Sequence, residues 1–87
     1  MINVPSTQVS VTPAVQRLML EGINFGPFVA SHLRGDWGDI NETERTRNIQ
    51  SLEQGNGHVL SVYHVTPDIT IWITTRAGKT IIMLPLA

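Results

Sequence analysis

Three β-forming runs separated by very short connections fill the C-terminal part of the chain and constrain its fold more than any other feature. They span residues 59–65, 69–75 and 80–84 and consist mostly of Val, Ile, Thr, Tyr and Trp, which are favoured in strands. The connections at residues 66–68 and 76–79 are turn-like and too short for a crossover, so neighbouring strands must pair antiparallel. The sequence therefore predicts a three-stranded antiparallel β-meander.

Alternation within the middle run predicts which side of this sheet is buried. The isoleucines of residues 69–73 share one face, whereas Trp72 and its neighbouring threonines share the other. Helices upstream of the sheet need one face to pack against, and the isoleucine face suits a core. We therefore expect the Trp72 face to be half exposed, with Tyr63 or His64 close to it.

Three short helices are predicted upstream of the sheet by their start signals. The first two begin at the Thr-Pro and Gly-Pro pairs of residues 12–13 and 26–27, because Pro fits the first helical position without losing a hydrogen bond. The third begins at Asn41, which has the spacing of a capping box with Glu44.

These elements define the predicted fold class, which is α+β. Three short N-terminal helices pack on the three-stranded antiparallel β-meander, and residues 1–87 form a single domain. Residues 1–11 are weakly patterned and form either an arm or a short edge strand. In the second case the antiparallel sheet has four strands.

The composition excludes several classes of protein. With 87 residues that are 41% hydrophobic and 15% charged, the chain is not a disordered tail. Its longest nearly apolar run, residues 81–87, is far short of the roughly 20 residues of a membrane span, and residues 1–12 lack a signal-peptide pattern. We therefore expect a cytoplasmic protein with no membrane contact. A net charge of −1 disfavours direct nucleic-acid binding.

The sequence carries no motif of a common enzyme class. Without cysteine there is no disulfide, no thiolate zinc site and no thiol nucleophile. The three histidines, at positions 32, 58 and 64, do not have metal-ligand spacing, and no phosphate-binding glycine loop or serine elbow occurs. We therefore predict no metal, no cofactor and no catalytic residue.

A corner rich in glycine and tryptophan lies between the second and third predicted helices. In the favoured, structural interpretation, the indole packs into the core and the glycines form the turn: Gly35, Trp37 and Gly38. In the alternative, the polar residues of the corner project together: His32, Arg34 and Asp36. His32 lies beside the apolar face of its helix, so we expect it to be a hydrogen-bonded core residue.

Two surfaces are candidates for partner binding. The Trp72 face is one, because aromatic residues dominate binding hot spots, and two cations at the adjacent hairpin tip flank it. Its candidate contact residues are Trp72, Tyr63, Arg76 and Lys79. The other is an acidic segment that would suit a basic groove and contains Asp36, Asp39, Glu42 and Glu44.

The corner and the strands together resemble a known family of small proteins encoded on bacterial plasmids and other mobile elements. Some members are labelled plasmid-related and others a restriction-modification subunit. The shared pattern is a Thr-Pro helix, a His-x-x-Gly-Asp-Trp-Gly corner, a helical Asn, a Ser-x-Tyr strand, an Ile-Trp-Ile-Thr strand and a closing Leu-Pro. The residues of this chain that match the pattern are, in the same order, Thr12-Pro13, His32 with residues 35–38, Asn48, Ser61 and Tyr63, residues 71–74 and Leu84-Pro85.

The turn at residues 75–79 departs from the acidic turn that is usual in this family. The resemblance implies a mobile-element or phage context and supplies no catalytic residue. Together with the composition it favours a non-enzymatic binding protein. We expect an inhibitor of a host defence system, of the anti-restriction or anti-CRISPR type, whose partner is a host protein or protein complex.

Two alternatives stay open at this point. One is a small ribonuclease-type toxin, which needs an acid, a base and a cation at the scissile phosphate and would use His32, Arg34, Ser61 and Thr74. The other is a structural or regulatory subunit that forms a homodimer through the edge of its last strand, next to the apolar residues Leu84, Pro85 and Leu86.

Overall fold

Residues 2–85 form three helices and four strands in the structure of the protein, which is a computed structural model. In chain order the elements are β1 (Gln8–Val11), α1 (Pro13–Leu20), α2 (Gly26–Leu33), α3 (Glu42–Glu53), β2 (Val59–Thr66), β3 (Ile69–Arg76) and β4 (Lys79–Met83). None of the helices within these residues has the length and apolar character needed to cross a membrane.

The helix starts confirm the capping signals in the sequence. The Thr12 side chain accepts a hydrogen bond from the backbone N–H of Val15, and Pro13 is the first residue of α1. At α3, the Asn41 side chain accepts from the Glu44 N–H, and the Glu44 carboxylate accepts from the Asn41 N–H. These caps determine the residue at which α1 and α3 begin, and therefore the point at which the preceding loop joins each helix.

The predicted fold class is wrong in its sheet type and in its element order. The sheet is mixed, with strand order β1-β4-β3-β2, because β1 lies parallel to β4 while the other pairs are antiparallel. The helices do not all precede the strands, since β1 comes before α1. A parallel pair needs a long crossover, and the helices with the β2–β3 hairpin supply it between β1 and β4.

The position of β4 also corrects the proposed dimer edge. β4 lies between β1 and β3, so both of its edges are already paired and no second copy can add to the last strand. The outer strands are β1 and β2 instead. Leu84 and Pro85 follow β4, whereas Leu86 lies outside the residues that the structure describes.

The core lies on one face of the sheet, beneath the helices. The predicted isoleucine face is confirmed, since Ile71 and Ile73 are completely buried. They pack in a cluster that joins the sheet to α1 and α2, with Val15, Phe25, Tyr63 and Ile82. A smaller cluster beside it joins the N-terminal arm, the corner and β2 through Val4, Trp37 and Val59.

Candidate functional site

A buried polar cluster surrounds His32 at the centre of the core. Its Nδ1 lies 2.5 Å from the Ser61 hydroxyl on β2, and its Nε2 lies 2.8 Å from the Thr75 hydroxyl on β3. His32, Ser61 and Thr75 are each completely buried. The imidazole therefore links α2 to two strands from inside the protein.

The cluster continues as a chain of hydroxyls towards the N-terminal arm. Thr75 is 2.7 Å from Thr80, and Thr80 is 2.7 Å from Ser6, whose hydroxyl donates to the Gly78 carbonyl. A single arrangement of protons satisfies every donor in this cluster. Ser61 donates to Nδ1 of His32, and the Nε2–H of His32 donates to Thr75. Thr75 then donates to Thr80, and Thr80 donates to Ser6. Every buried side-chain polar atom in residues 2–85 has a partner.

This environment keeps the imidazole neutral. Desolvation by burial lowers the pKa of His32 from its ordinary 6.5 to about 4, since the charged form has no water around it. With both ring nitrogens bonded to hydroxyls and no exposed surface, the group has neither a free lone pair nor access to a substrate. The cluster acts as a structural cross-link, as expected for His32 from the sequence.

The four residues of the ribonuclease alternative do not all come together in one site. His32 and Ser61 are in contact, but the Arg34 guanidinium is exposed and lies 4.0 Å from the Asp36 carboxylate. Thr74 alternates with the buried Ile73 and Thr75, so it faces away from His32. No phosphate-sized hollow is therefore framed by an imidazole, a guanidinium and a hydroxyl of these residues.

The glycine-tryptophan corner closes the outer edge of β2. Trp37 is 1% exposed, and its indole N–H donates to the His32 carbonyl. Its own carbonyl accepts from the N–H of Val62, and the Asp39 N–H donates to the Val62 carbonyl. The segment thereby pairs with β2 like a short parallel strand, centred on Gly38.

Both glycines of the corner are required by close contacts. Gly38 has φ +72°, and a Cβ there would lie 2.1 Å from the Val62 carbonyl oxygen. Gly35 has φ +90°, and a Cβ there would lie 2.7 Å from Ile2. Only glycine tolerates this backbone conformation together with such close neighbours. The structural interpretation of Gly35, Trp37 and Gly38 is what the geometry supports.

α3 covers the same strand edge through a single amide. The Asn48 side chain accepts from the Leu60 N–H at 3.0 Å and donates to the Leu60 carbonyl at 2.8 Å. Asn48 is 4% exposed, so these bonds are shielded from water. The helical periodicity of α3 does not indicate this role, because an Asn on a mostly solvated helix is predicted to be a surface residue.

The side of the sheet opposite the helices is the candidate functional surface. We define the open face as the alternate residues of three strands that point away from the core: Leu60, Val62, Trp72, Thr74, Ile81 and Met83. Trp72 lies in the centre, between Val62 on β2 and Met83 on β4. It is 38% exposed, and Ile81 is 37% exposed.

Opposite charges flank this apolar centre. Arg76 and Lys79 form a cross-strand pair at the hairpin tip of β3 and β4, and both are exposed. At the other end of β3, Asp68 lies in the turn, and Asp39 lies 2.7 Å from Nε2 of His64. The face therefore has two cations at one end of its apolar centre and the Asp39–His64 pair at the other, which we call its acidic end.

A second histidine cluster marks the acidic end. His64 bonds to Asp39 through Nε2 and lies 2.9 Å from the Thr70 hydroxyl through Nδ1. The sequence places His64 near the Trp72 face but gives no sign of its pairing with Asp39, which is distant along the chain. Only the contact between His64 and Thr70 has a signal in the sequence. Strand alternation places these two residues opposite each other on neighbouring strands.

The other predicted contact residues are dispersed. Tyr63 is 8% exposed, packs on Phe28 and donates to the Asp36 carbonyl, so it belongs to the buried face and not to the open face. Asp36 pairs with Arg34 at the corner. Glu44 serves the α3 cap, and Glu42 is exposed beside it. The acidic segment is therefore not one continuous surface.

Within residues 2–85 no three His, Asp or Glu side chains converge in a way that would hold a metal ion. Comparison of the chain with protein-family models, with curated proteins and with solved structures returned no match.

Proposed function

We propose that this chain is a non-enzymatic binding protein that acts through its open face on a host protein or protein complex. We propose further that the partner belongs to a host defence system, which the chain inhibits in the anti-restriction or anti-CRISPR manner. The resemblance of residues 12–85 to proteins of plasmids and other mobile elements favours this class of partner. An inhibitor of this kind needs a rigid surface with anchors and matched charges, and no reactive group.

The exposure of Trp72 at the centre of the open face is the observation that carries the proposal. A tryptophan on a sheet face offers a large, rigid anchor, and such anchors contribute much of the binding energy at protein interfaces. The apolar side chains around Trp72 are the desolvated centre that an anchor needs, and the charges at both ends form a polar rim.

The charges on this face favour a protein over a nucleic acid. Arg76 and Lys79 stand at one end of this face, and Asp39 stands at the opposite end, bonded to His64. Nucleic-acid affinity depends on several cations that neutralise phosphates, and carboxylates on the same surface oppose it. A protein partner with a complementary charge pattern meets no such penalty.

The test is a transformation and plating assay in a panel of bacterial strains that each carry one nuclease-based defence system. Expression of the chain is expected to abolish protection in one of these strains. Trp72→Ser is expected to restore protection there, because it removes the anchor from an exposed position. The matched control is Ile49→Ser, since Ile49 is 36% exposed on α3.

The control variant is expected to inhibit as well as the unmodified chain. Full protection in every strain would contradict the defence part of the proposal. Equal inhibition by the Trp72→Ser chain would contradict the assignment of the open face. Circular dichroism of both variants establishes that a loss of inhibition is not a loss of folding.

A further inference from the structure

The two outer edges of the sheet differ in how they are covered. On β2, the backbones of Trp37 and Asp39 bond to both backbone groups of Val62. The Asn48 amide bonds to both backbone groups of Leu60 on the same edge. On β1, the only strand pairing in the part of the chain that the structure describes is with β4. The outer edge of β1 is therefore the uncovered edge of the sheet.

Two residues of β1 point their backbone groups away from the sheet. The Thr12 N–H donates to the Ile82 carbonyl at 3.1 Å, which identifies the side of the strand that faces β4. Backbone groups of alternate residues point to the same side of a strand, so those of Ser10 also face β4. The N–H and C=O groups of Val9 and Val11 therefore point outward, and no residue in the described chain bonds to them.

An apolar groove runs beside these outward groups, between β1 and the helices. We call it the edge groove. It has a volume of about 560 Å³, and its apolar lining comes from β1, β4, α1, α2 and the residue before α2: Val9, Val11, Met19, Phe25, Val29 and Ile82. Val9 and Met19 are 49% and 46% exposed, whereas Ile82 belongs to the buried core. The edge groove is therefore an extension of the core that is open at the edge of the sheet.

We propose that an extended segment of a partner protein docks here and adds a fifth strand to the sheet beside β1. Its main chain bonds to the outward groups of Val9 and Val11, and its side chains at alternate positions enter the edge groove. The backbone groups select a polypeptide as the occupant. A small apolar molecule or a lipid chain fills such a groove but leaves those donors and acceptors without partners.

The sequence of β1 permits such an addition. Edge strands commonly carry charged residues or proline, which prevent pairing with other chains, but Gln8–Val11 contains neither. At about 3.3 Å per residue, a strand of this length offers an edge on the order of 13 Å long, which about five residues of extended chain cover. We therefore expect the docked segment to be short and to carry apolar residues at every second position.

The edge groove shares no residue with the open face, so this docking goes beyond the proposed function and does not rest on it. The Trp72→Ser chain, which tests the open face, is expected to bind the same extended segment as well as the unmodified chain does. A failure of either surface therefore leaves the result for the other intact.

Selection from a phage-displayed peptide library on the immobilised chain tests the strand addition. The library carries peptides of about seven residues with randomised apolar residues at alternate positions. Enriched peptides are expected, and at about ten times their dissociation constant they should slow hydrogen exchange of the Val9 and Val11 amides roughly tenfold. The Ser10 amide, already bonded to β4, should not change. No enrichment, or enriched peptides that leave both valine amides unprotected, would overturn the proposal.

Two matched pairs of variants locate the contact. Val9→Pro removes an outward donor, which an edge strand tolerates, and should weaken peptide binding roughly tenfold. Val9→Thr keeps that N–H and should bind within about twofold of the unmodified chain. Met19→Glu places a charge in the edge groove and should also weaken binding roughly tenfold. Leu20→Glu is its control, because Leu20 is 83% exposed and does not line the groove.

Circular dichroism establishes that each variant is folded, and the Met19 pair decides the question if Val9→Pro does not fold. Unchanged peptide binding by a folded Val9→Pro chain or by the Met19→Glu chain would overturn the proposal. Sedimentation velocity of the chain alone tests a second copy as the occupant. Self-association that Val9→Pro abolishes would assign the edge to that second copy and would equally overturn the proposal.

Discussion

Trp37 and Trp72 lie on opposite sides of the same sheet and have opposite relations to solvent. Trp37 is 1% exposed and packs with Val59 on the side covered by helices. Trp72 is 38% exposed and lies on the open face. The chain thus uses one tryptophan to build its corner and presents the other to solvent on the open face.

Replacing each tryptophan by alanine is expected to separate these roles. Trp37→Ala should lower the free energy of unfolding by about 3–5 kcal/mol, because it leaves a large cavity and removes the indole donor from the buried His32 carbonyl. Trp72→Ala should lower it by about 1–2 kcal/mol, because the part of the side chain that covers its cross-strand neighbours is lost and no closed cavity forms. Urea denaturation measures both values. Similar losses for the two variants would contradict the assignment of Trp72 to an exposed face.

Gly38→Ala is expected to be one of the most damaging small substitutions in the chain. The added Cβ would lie 2.1 Å from the Val62 carbonyl oxygen, in a backbone conformation that alanine disfavours. We expect a loss of about 3–5 kcal/mol in unfolding free energy, measured by thermal or urea denaturation.

Gly55→Ala is the matched control for that measurement. Gly55 also has positive φ, at +79°, but a Cβ there meets nothing within 4 Å. Its expected cost is about 1 kcal/mol, from conformation alone. Equal losses of unfolding free energy in the two variants would show that Gly38 does not lie as close to the Val62 carbonyl as it does in the structure.

The amide of Asn48 is expected to hold α3 on the sheet. Asn48→Ala leaves both backbone groups of Leu60 without a partner, so it should lower the free energy of unfolding by about 2–3 kcal/mol. Hydrogen exchange of the Leu60 amide should quicken in the same variant. Thr46→Ala, on the exposed side of α3, should change stability by less than about 0.5 kcal/mol. A slow Leu60 amide in the Asn48 variant would argue against this bond.

Acid is expected to destabilise the protein through His32. Its pKa is about 4 in the folded chain and 6.5 in the unfolded chain, so below pH 6.5 the unfolded state binds the extra proton. The free energy of unfolding should therefore fall by about 2 kcal/mol from pH 7 to pH 5 and by about 3 kcal/mol in total near pH 4. Urea denaturation at these pH values measures the loss.

Histidine variants identify the group responsible for this pH dependence. His58→Gln removes an exposed imidazole and should leave the slope unchanged. His32→Gln should be less stable at pH 7 and should show a much smaller loss between pH 7 and pH 5. An unmodified chain with constant stability over that range would mean that His32 is not held neutral by burial.

The elements that local chemistry specifies could be predicted from the sequence. The capped starts of α1 and α3, the β2–β3–β4 meander and the buried isoleucine face follow from caps, turn lengths and alternation. The parallel pairing of β1 could not be predicted, because four residues with a weak pattern do not specify a partner strand. That pairing depends on the edge of β4, a strand almost seventy residues further along the chain.

The candidate surface was predicted only in part for the same reason. Alternation identified Trp72 and its flanking cations as one face, but the face of Tyr63 depended on the register between β2 and β3. The contact of Asp39 with His64 joins residues from different elements, so no local pattern indicates it. The buried cluster of His32 likewise assembles residues from a helix, three strands and the N-terminal arm.

The most direct test of contact through the open face is affinity capture from bacterial host lysate with three immobilised chains, all verified as folded. The unmodified chain and His32→Gln are expected to retain the same partner, because the buried imidazole touches nothing outside the protein. Trp72→Ser is expected to lose that partner. Retention by Trp72→Ser together with loss by His32→Gln would contradict the account, since function would then depend on the buried cluster and not on the exposed surface.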